Sequence, residues 1–229
     1  MRKTGFIIAS LAVLFSAALP SAAQENQEKK ISGIPAVIYY LLPEFDDGMV
    51  YLSGQRPAQG KMNICAVDNT LRYLEKDGHE VSAGHNDDII MVRIGGITFL
   101  QSEGIFYRLY PVSGDVGVAL RRNVTIQSDI KEGAFGTKTH TSSIAEYRHI
   151  YVDGVTYELE KDKEYPYSVS EMVLLYKGNE VLSLTKKNLR KLFPERKAEI
   201  DAWFKEKHPL PDTVGQAQEL LTRWACPEQ

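Results

Sequence analysis

Short apolar runs separated by turn residues fill residues 36–126, which is the pattern of successive short β-strands. The clearest segment is residues 89–101, where Gly95 and Gly96 lie between two apolar runs and can adopt the positive φ angles that a two-residue hairpin turn needs. Apolar side chains fall on both faces of this hairpin, so we predict that it lies in the centre of a sheet. Pairing outward from the turn predicts four cross-strand pairs: Ile94 with Ile97, Val92 with Phe99, Met91 with Leu100 and Arg93 with Thr98.

Similar patterns predict the neighbouring strands. Residues 105–110 and 116–120, joined around Gly114, continue the hairpin as an antiparallel meander. Their apolar residues at every second position predict one buried face. Shorter strands are predicted upstream at residues 37–42, 49–52, 62–66, 71–74 and 79–82.

Beyond the meander, residues 131–146 break the pattern, because glycine, serine and threonine crowd together there with almost no aliphatic side chains. This composition predicts a long loop. Residues 149–159 then predict a second hairpin, in which His149 lies opposite Glu158. Residues 171–184 predict a third hairpin with a glycine in its turn.

In the C-terminal part, apolar residues recur every three or four positions, which is the period of an amphipathic helix. Thr185 is the predicted cap of a short helix, Pro194 opens a second helix, and Thr213 caps a third, in which apolar residues recur every three or four positions. We therefore predict an α+β, mainly β protein. An antiparallel meander and hairpins form a sheet or sandwich, and two to three short helices follow at the C-terminus.

The N-terminus has the pattern of an export signal. Arg2 and Lys3 precede an apolar run of about 14 residues, which is too short to span a bilayer, and small residues end it at Ala23. We expect cleavage after Ala23, a periplasmic or secreted protein, and no transmembrane anchor. The predicted segments are a signal peptide over residues 1–23, a β-rich meander over 24–130, a loop over 131–146, β-hairpins over 147–184 and a helical segment over 185–229.

The charge balance argues against one class of partner. The whole chain carries a net charge of −3, and removal of Arg2 and Lys3 with the leader makes it about −5. Nucleic-acid binding depends on a strongly basic surface. We therefore predict no nucleic-acid partner.

Cys65 and Cys226 are the two cysteines of the chain. An exported protein meets an oxidising compartment, where they either form a disulfide across a long loop or stay unpaired, with Cys65 buried among apolar neighbours. Both alternatives are open. The chain has no C-x-x-C motif, so the sequence offers no support for redox catalysis or for a thiolate zinc site.

The densest group of possible metal ligands is His79, His85, Asp87 and Asp88. Imidazole and carboxylate groups suit zinc or another divalent ion. Their spacing matches no motif of fixed geometry, however, and Gly84 beside them indicates an exposed turn. We predict no bound metal and no other cofactor.

The loop with His140 contains several hydroxyl side chains that invite comparison with nucleophilic enzymes. The chain has no G-x-S-x-G, no H-E-x-x-H and no phosphate-binding G-x-x-x-x-G-K motif. We therefore assign no catalytic residue.

The short helix after Thr185 is amphipathic. Such a helix either touches an anionic surface or docks its apolar side and leaves its basic side in solvent. Because it has barely two turns, we favour the docked helix. The basic arc comprises Lys186, Lys187, Arg190 and Lys191, and the apolar arc Leu189, Leu192 and Phe193.

Two segments carry a resemblance. Residues 131–144 (KEGAFGTKTHTSSI) and 185–194 (TKKNLRKLFP) are similar to those of a group of uncharacterised exported proteins from Bacteroidetes-type bacteria, and the similarity extends from about Leu42 to Trp224. The resemblance implies a cell-envelope location and a non-enzymatic role, with no activity to transfer. Asp212-Thr213-Val214 also resembles the acceptor for O-linked glycans in such bacteria, which makes Thr213 a candidate modification site.

These observations favour an interaction or binding module of the cell envelope, whose partner is an unknown envelope protein or a glycan. One alternative is an envelope hydrolase with an unrecognised site around His140 or around His79 and His85. Such a site needs a histidine close to an acid and a hydroxyl group. The other alternative is a carbohydrate-binding module, which needs two or three aromatic rings exposed on one sheet face.

Overall fold

The structure is a computed structural model that describes the backbone of residues 30–31, 34–83, 87–126, 147–152, 155–160 and 165–225, and the side chains within 34–83, 87–126 and 165–225. Within these ranges the chain forms one ten-stranded antiparallel sheet, two two-stranded sheets and four α-helices. The predicted mainly β fold with short C-terminal helices is confirmed.

The strands and helices follow one another along the chain with short connections. The strands are β1 (Lys30–Ile31), β2 (Ile34–Pro35), β3 (Asp46–Leu52), β4 (Ala58–Ile64), β5 (Leu71–Leu74), β6 (Glu80–Ser82), β7 (Ile89–Ile94), β8 (Ile97–Ser102), β9 (Ile105–Ser113), β10 (Val116–Ile126), β11 (Tyr147–Val152), β12 (Val155–Glu160), β13 (Tyr167–Lys177) and β14 (Glu180–Ser183). The helices are α1 (Ala36–Tyr39), α2 (Lys186–Leu192), α3 (Lys197–Lys205) and α4 (Val214–Ala225). The large sheet has the order β14-β13-β10-β9-β8-β7-β3-β4-β5-β6.

The hairpin of β7 and β8 confirms the register predicted from its turn. All four expected pairs are present, from Ile94 opposite Ile97 at the turn to Met91 opposite Leu100. Gly95 has a φ of 54° and lies where the predicted turn requires a positive angle. The hairpin also lies inside the sheet, between β3 and β9. One face of the hairpin packs in the core through Val92, Ile94 and Phe99, whereas the other face carries the buried Leu100 beside the exposed Arg93.

The prediction of one buried face for β9 and β10 is wrong. Leu109 is opposite Ala119, and Tyr110 is opposite Val118, so these two pairs lie on opposite faces of the sheet. Ala119 packs in a small cluster with Tyr107, whereas Val118 packs under the C-terminal helices. The strands lie inside the sheet and bury apolar side chains on both faces.

The strand predicted over residues 37–42 is also wrong. Ala36–Tyr39 forms one helical turn, α1, after which Tyr40 makes a single β-bridge to Cys65. A short apolar run fits a strand and a buried helical turn equally well. Pro35, which stands at the N-terminus of this turn, is the local signal that favours the helix.

Helices α2 and α4 begin where their caps predict, whereas Pro194 opens a 3-10 turn over Pro194–Arg196 and α3 begins at Lys197. The Thr185 hydroxyl accepts a hydrogen bond from the Asn188 backbone N–H at 3.3 Å. Thr213 accepts one from the Gln216 N–H at 3.4 Å, while the Gln216 side chain accepts one from the Asp212 N–H at 3.2 Å. The second cap is therefore a capping box shifted by one residue.

The docked arrangement favoured for α2 is confirmed. Leu189 is fully buried, and the apolar sides of α2, α3 and α4 form one core with Val118 and Leu175 of the sheet. On the outer side, Asp201 of α3 forms ion pairs with two cations of α2, at 2.9 Å from Lys186 Nζ and also with Arg190. Two residues of the basic arc, Lys186 and Arg190, therefore link α2 to α3.

In the part of the chain that the structure describes, no helix is long and apolar enough to cross a membrane.

Candidate functional site

An open groove lies on three adjacent strands of the large sheet, β4, β3 and β7. Along β3, Val50 points into the core, and its neighbours Met49 and Tyr51 point to the opposite face, where they line the groove. Met49 is opposite Gln59 on one side and Arg93 on the other. The groove has a volume of about 470 Å³ and is completed by Asp47, Gly48, Gly60 and Gly96.

Glycines supply part of the backbone that lines the groove. Gly48 is opposite Gly60 in the ladder between β3 and β4, and both alternate with the residues whose side chains line the groove. A Cβ atom on Gly48 would approach Met62 Sδ to 2.7 Å and the Arg93 carbonyl oxygen to 2.8 Å, so only glycine fits. Gly60 and Gly96 face open space. The groove therefore exposes backbone as well as side chains.

Opposite charges line the same groove. The Asp47 carboxylate and the Arg93 guanidinium lie on neighbouring strands, both exposed, and neither forms an ion pair with another described residue. Gln59 adds an amide, and Tyr51 and Met49 add half-buried apolar surface. Among the described residues, no histidine, cysteine, serine or threonine side chain lines the groove. This set of groups suits noncovalent binding and lacks a nucleophile or a general base of the histidine type.

A second polar cluster surrounds Cys65, which is fully buried. Burial, and next the charge of Asp68, raise the pKa of the Cys65 thiol to about 12. Asp68 itself forms an ion pair with Arg72, and the Thr70 hydroxyl donates to Asp68 Oδ1 at 2.6 Å. Because the thiolate is the reactive form of cysteine, this thiol is not an activated nucleophile.

The cluster has a structural role. The Asp68 and Arg72 side chains are only 3% and 13% exposed, and although burial opposes it, the charge of Asp68 holds the pKa of Arg72 above its ordinary range. The Tyr40 hydroxyl donates to Glu80 Oε2 at 2.7 Å. The ion pair joins the turn after β4 to β5, and the Tyr40 hydrogen bond joins the residue that follows α1 to β6.

The possible metal ligands do not form a site in the described residues. His79, Asp87 and Asp88 are all exposed, and the described ranges hold no group of three or more histidine, cysteine or acidic side chains that could bind a metal. His85 lies outside these ranges.

The remaining residues singled out in the sequence do not lie together in one described site. His140 and Cys226 lie outside the described residues. Cys65 has a free thiol in the described part of the chain. Because its predicted partner is not described, the Cys65–Cys226 disulfide stays a prediction. The backbone register does pair His149 with Glu158 as predicted. Thr213 is exposed at the start of α4, where it acts as the cap; its glycosylation stays a prediction.

His208 lies at a small cavity between the end of α3 and α4. Its ring stacks on Trp203, with 5.4 Å between the ring centroids, and its Nε2 lies 2.8 Å from Glu206 Oε2. The cavity has a volume of about 240 Å³, and none of the described residues that line it is a serine, threonine or cysteine. The histidine therefore faces an acid without the hydroxyl that the hydrolase alternative needs.

Exposed aromatic rings do not cluster among the described residues. Tyr73 and Tyr167 are the exposed aromatic side chains there, at 36% and 38%. They belong to β5 and β13, close to opposite ends of the strand order. Among the described residues that line the groove, Tyr51 alone has an aromatic ring. The platform required by the carbohydrate-binding alternative is not formed by these strands.

The groove residues were not identified by sequence analysis. A weak signal was present, since Asp47, Met49 and Tyr51 alternate with Gly48 and Val50. The pairing of β3 with β7, which places Arg93 beside Met49, joins segments about 40 residues apart and has no local marker. Comparison of the chain with protein-family profiles, with curated protein sequences and with solved structures finds no match.

Proposed function

We propose that this protein is an exported, non-enzymatic binding module of the cell envelope, and that its groove on β4, β3 and β7 binds a segment of an envelope protein. The observation that carries the proposal is the pair of exposed, opposite charges on Asp47 and Arg93 beside apolar surface. A protein segment with one basic and one acidic side chain complements both charges. Its apolar part packs on Tyr51 and Met49.

Several features support the separate parts of this proposal. The basic, apolar and small-residue pattern that ends at Ala23 supports export, and the resemblance to exported bacterial proteins supports an envelope location. The composition of the groove and the buried Cys65 thiol support a role without covalent catalysis. The three strands are each paired on both sides, so they form a preorganised surface that loses little entropy on binding.

The test uses charge reversal in the groove. The purified protein is immobilised and exposed to solubilised envelope from its native host, and the retained proteins are identified by mass spectrometry. We expect a reproducible retained protein that is lost with Arg93→Glu and with Asp47→Lys. Arg56→Glu is the matched control, because Arg56 is an exposed arginine outside the groove.

Three outcomes contradict the proposal. Retention that is unchanged in both groove variants places binding elsewhere on the protein. Retention of polysaccharide in place of protein favours the carbohydrate-binding alternative. Turnover of an envelope component by the purified protein, abolished by substitution of His79, His85 or His140, favours the hydrolase.

A further inference from the structure

Strand β13 has an open edge over half of its length. It pairs with β10 along all its residues, but β14 covers its other side only over residues 174–177. Among the described strands, none pairs with the outer side of residues 167–172, and all six of these residues are exposed. An edge of this kind presents backbone N–H and C=O groups that can pair with another strand.

This edge lacks the features that usually prevent edge pairing. Proteins protect sheet edges with short strands, lysine, proline or bulges. At the other end of the sheet, β6 is three residues long. Residues 167–172 contain no lysine, proline or glycine, and their single charge, on Glu171, forms an ion pair with Arg122 at 2.9 Å. Tyr167, Val169 and Met172 are 38%, 41% and 54% exposed.

We propose that this edge pairs with the same edge of a second copy of the chain, antiparallel, with Val169 on the two-fold axis. In an antiparallel pair, directly opposed residues lie on the same face of the sheet. A two-fold axis perpendicular to the sheet also keeps each side chain on its face. The axis must therefore lie where one residue opposes its own copy. With Val169 on the axis, Ser168 lies opposite Ser170 of the other copy, and Tyr167 lies opposite Glu171.

In this register, the side chains that meet between the two paired copies of β13 are complementary. Val169 is already opposite Val124 of β10, so two valines from each copy form one continuous apolar row. Glu171 is opposite Arg122, and in the dimer its other side faces a tyrosine ring in place of a second glutamate. No like charges are opposed, which would destabilise the pair.

The neighbouring register is less favourable. With Ser170 on the axis, Val169 lies opposite Glu171 of the other copy, and the apolar row ends at a carboxylate. That carboxylate then loses water without gaining a partner beyond Arg122. The choice of a second copy as the occupant depends on this self-complementarity.

The first test measures self-association. An edge of this length forms only a few backbone pairs, so we expect weak association that depends on concentration. Sedimentation velocity of the purified protein should show a monomer–dimer equilibrium, and Val169→Lys should shift it to monomer. Ile90→Lys is the matched control, because Ile90 is a β-branched strand residue exposed to 37% on β7, away from this edge. Equal melting temperatures establish that the variants fold.

The second test measures the register. In a Cys226→Ser background, Val169→Cys should form a disulfide-linked or bismaleimide-linked dimer with itself. Met172→Cys should not, because three residues from the axis place it about 20 Å from its copy. Three results overturn the proposal: a monomer at all protein concentrations up to about 1 mM, a dimer that persists in Val169→Lys, or crosslinking at 172 without crosslinking at 169.

Discussion

Asn63 is a polar side chain that is fully buried in the sheet. Its amide oxygen accepts from the backbone N–H groups of Leu42 and Ile64 at 3.2 and 2.8 Å. Its amide nitrogen donates to the carbonyl oxygens of Leu42 and Glu44 at 2.9 and 3.0 Å. Three of these four bonds hold residues 42–44 against β4, and the fourth is to the next residue of β4 itself.

We predict that Asn63→Ala lowers the free energy of unfolding by about 3 kcal/mol, because several buried backbone groups lose their partner. Urea denaturation measures this change. Asn123→Ala is the control, since Asn123 is only partly buried and its amide has one described bond, to Thr125 Oγ1 at 3.2 Å. Similar losses in the two variants would contradict the structural role of Asn63.

The buried Cys65 thiol should resist modification in the folded protein. With its pKa raised to about 12, the thiol is protonated at neutral pH as well as inaccessible. We predict that iodoacetamide labels Cys65 only after unfolding, as measured by peptide mass spectrometry. If Cys65 and Cys226 form a disulfide, labelling after unfolding will also require reduction. Rapid labelling of the native protein would contradict the described burial.

The same thiol makes stability depend on alkaline pH. Its ordinary pKa is 9.0, and the folded value is about 12, so between these values the unfolded chain releases a proton that the folded chain keeps. The contribution to stability is complete below pH 9 and falls above it, by up to about 1.4 kcal/mol per pH unit. We predict that Cys65→Ala loses less stability than the wild type between about pH 8 and pH 11. Urea denaturation at each pH measures the free energy of unfolding. The prediction is refuted if this free energy falls equally with pH in the wild type and in Cys65→Ala.

At the scale of elements, the carboxylate of Asp201 in α3 adds two ion pairs to the apolar contact between α2 and α3. Hydrogen bonds from Arg190 and then Lys186 hold the pKa of Asp201 below its ordinary value of 3.8. The stabilisation is therefore present above that value and is lost as the pH falls through the folded pKa. Because Asp201 is near the surface, water and salt weaken the effect.

We predict that Asp201→Asn lowers the melting temperature slightly at pH 7, and that the difference from the wild type disappears in acid and shrinks in concentrated salt. The control is Glu199→Gln, which removes a carboxylate of α3 that pairs with Arg196 of the preceding turn and not with α2. Differential scanning calorimetry at several pH values measures both. A difference that persists below the aspartate pKa would show that the ion pairs are not its cause.

Elements with local signals were predictable from the sequence. The hairpin of β7 and β8 has its register set by Gly95 and Gly96, and the caps of α2 and α4 depend on residues only three positions apart. The helical turn α1 was missed because its apolar residues fit either structure. The groove was missed because its charges, on Asp47 and Arg93, meet through the pairing of distant strands, which depends on tertiary packing and leaves no periodic pattern.

At the scale of the whole molecule, two of the hydrophobic cores in the described part of the chain lie on one face of the large sheet. Phe106 packs with Val92 and Ile94 in the core near β3 and β7. Tyr110, four residues further along β9 and on the same face, packs against the core formed with the C-terminal helices. The single strand β9 therefore contributes side chains to both cores. If one core unfolds and β9 leaves the sheet, the other core loses the side chains that β9 contributes.

We predict that both cores unfold in one cooperative transition. The two tryptophans of the chain, Trp203 and Trp224, lie in the helical core, so their fluorescence follows the helices, while far-UV circular dichroism is dominated by the sheet. Ile94→Ala, in the other core, should cost about 3 kcal/mol and lower the urea midpoint of both signals equally. Leu221→Ala, in the helical core, should do the same. Separate midpoints in either variant would mean that the helices detach before the sheet unfolds, and that β9 does not couple the cores.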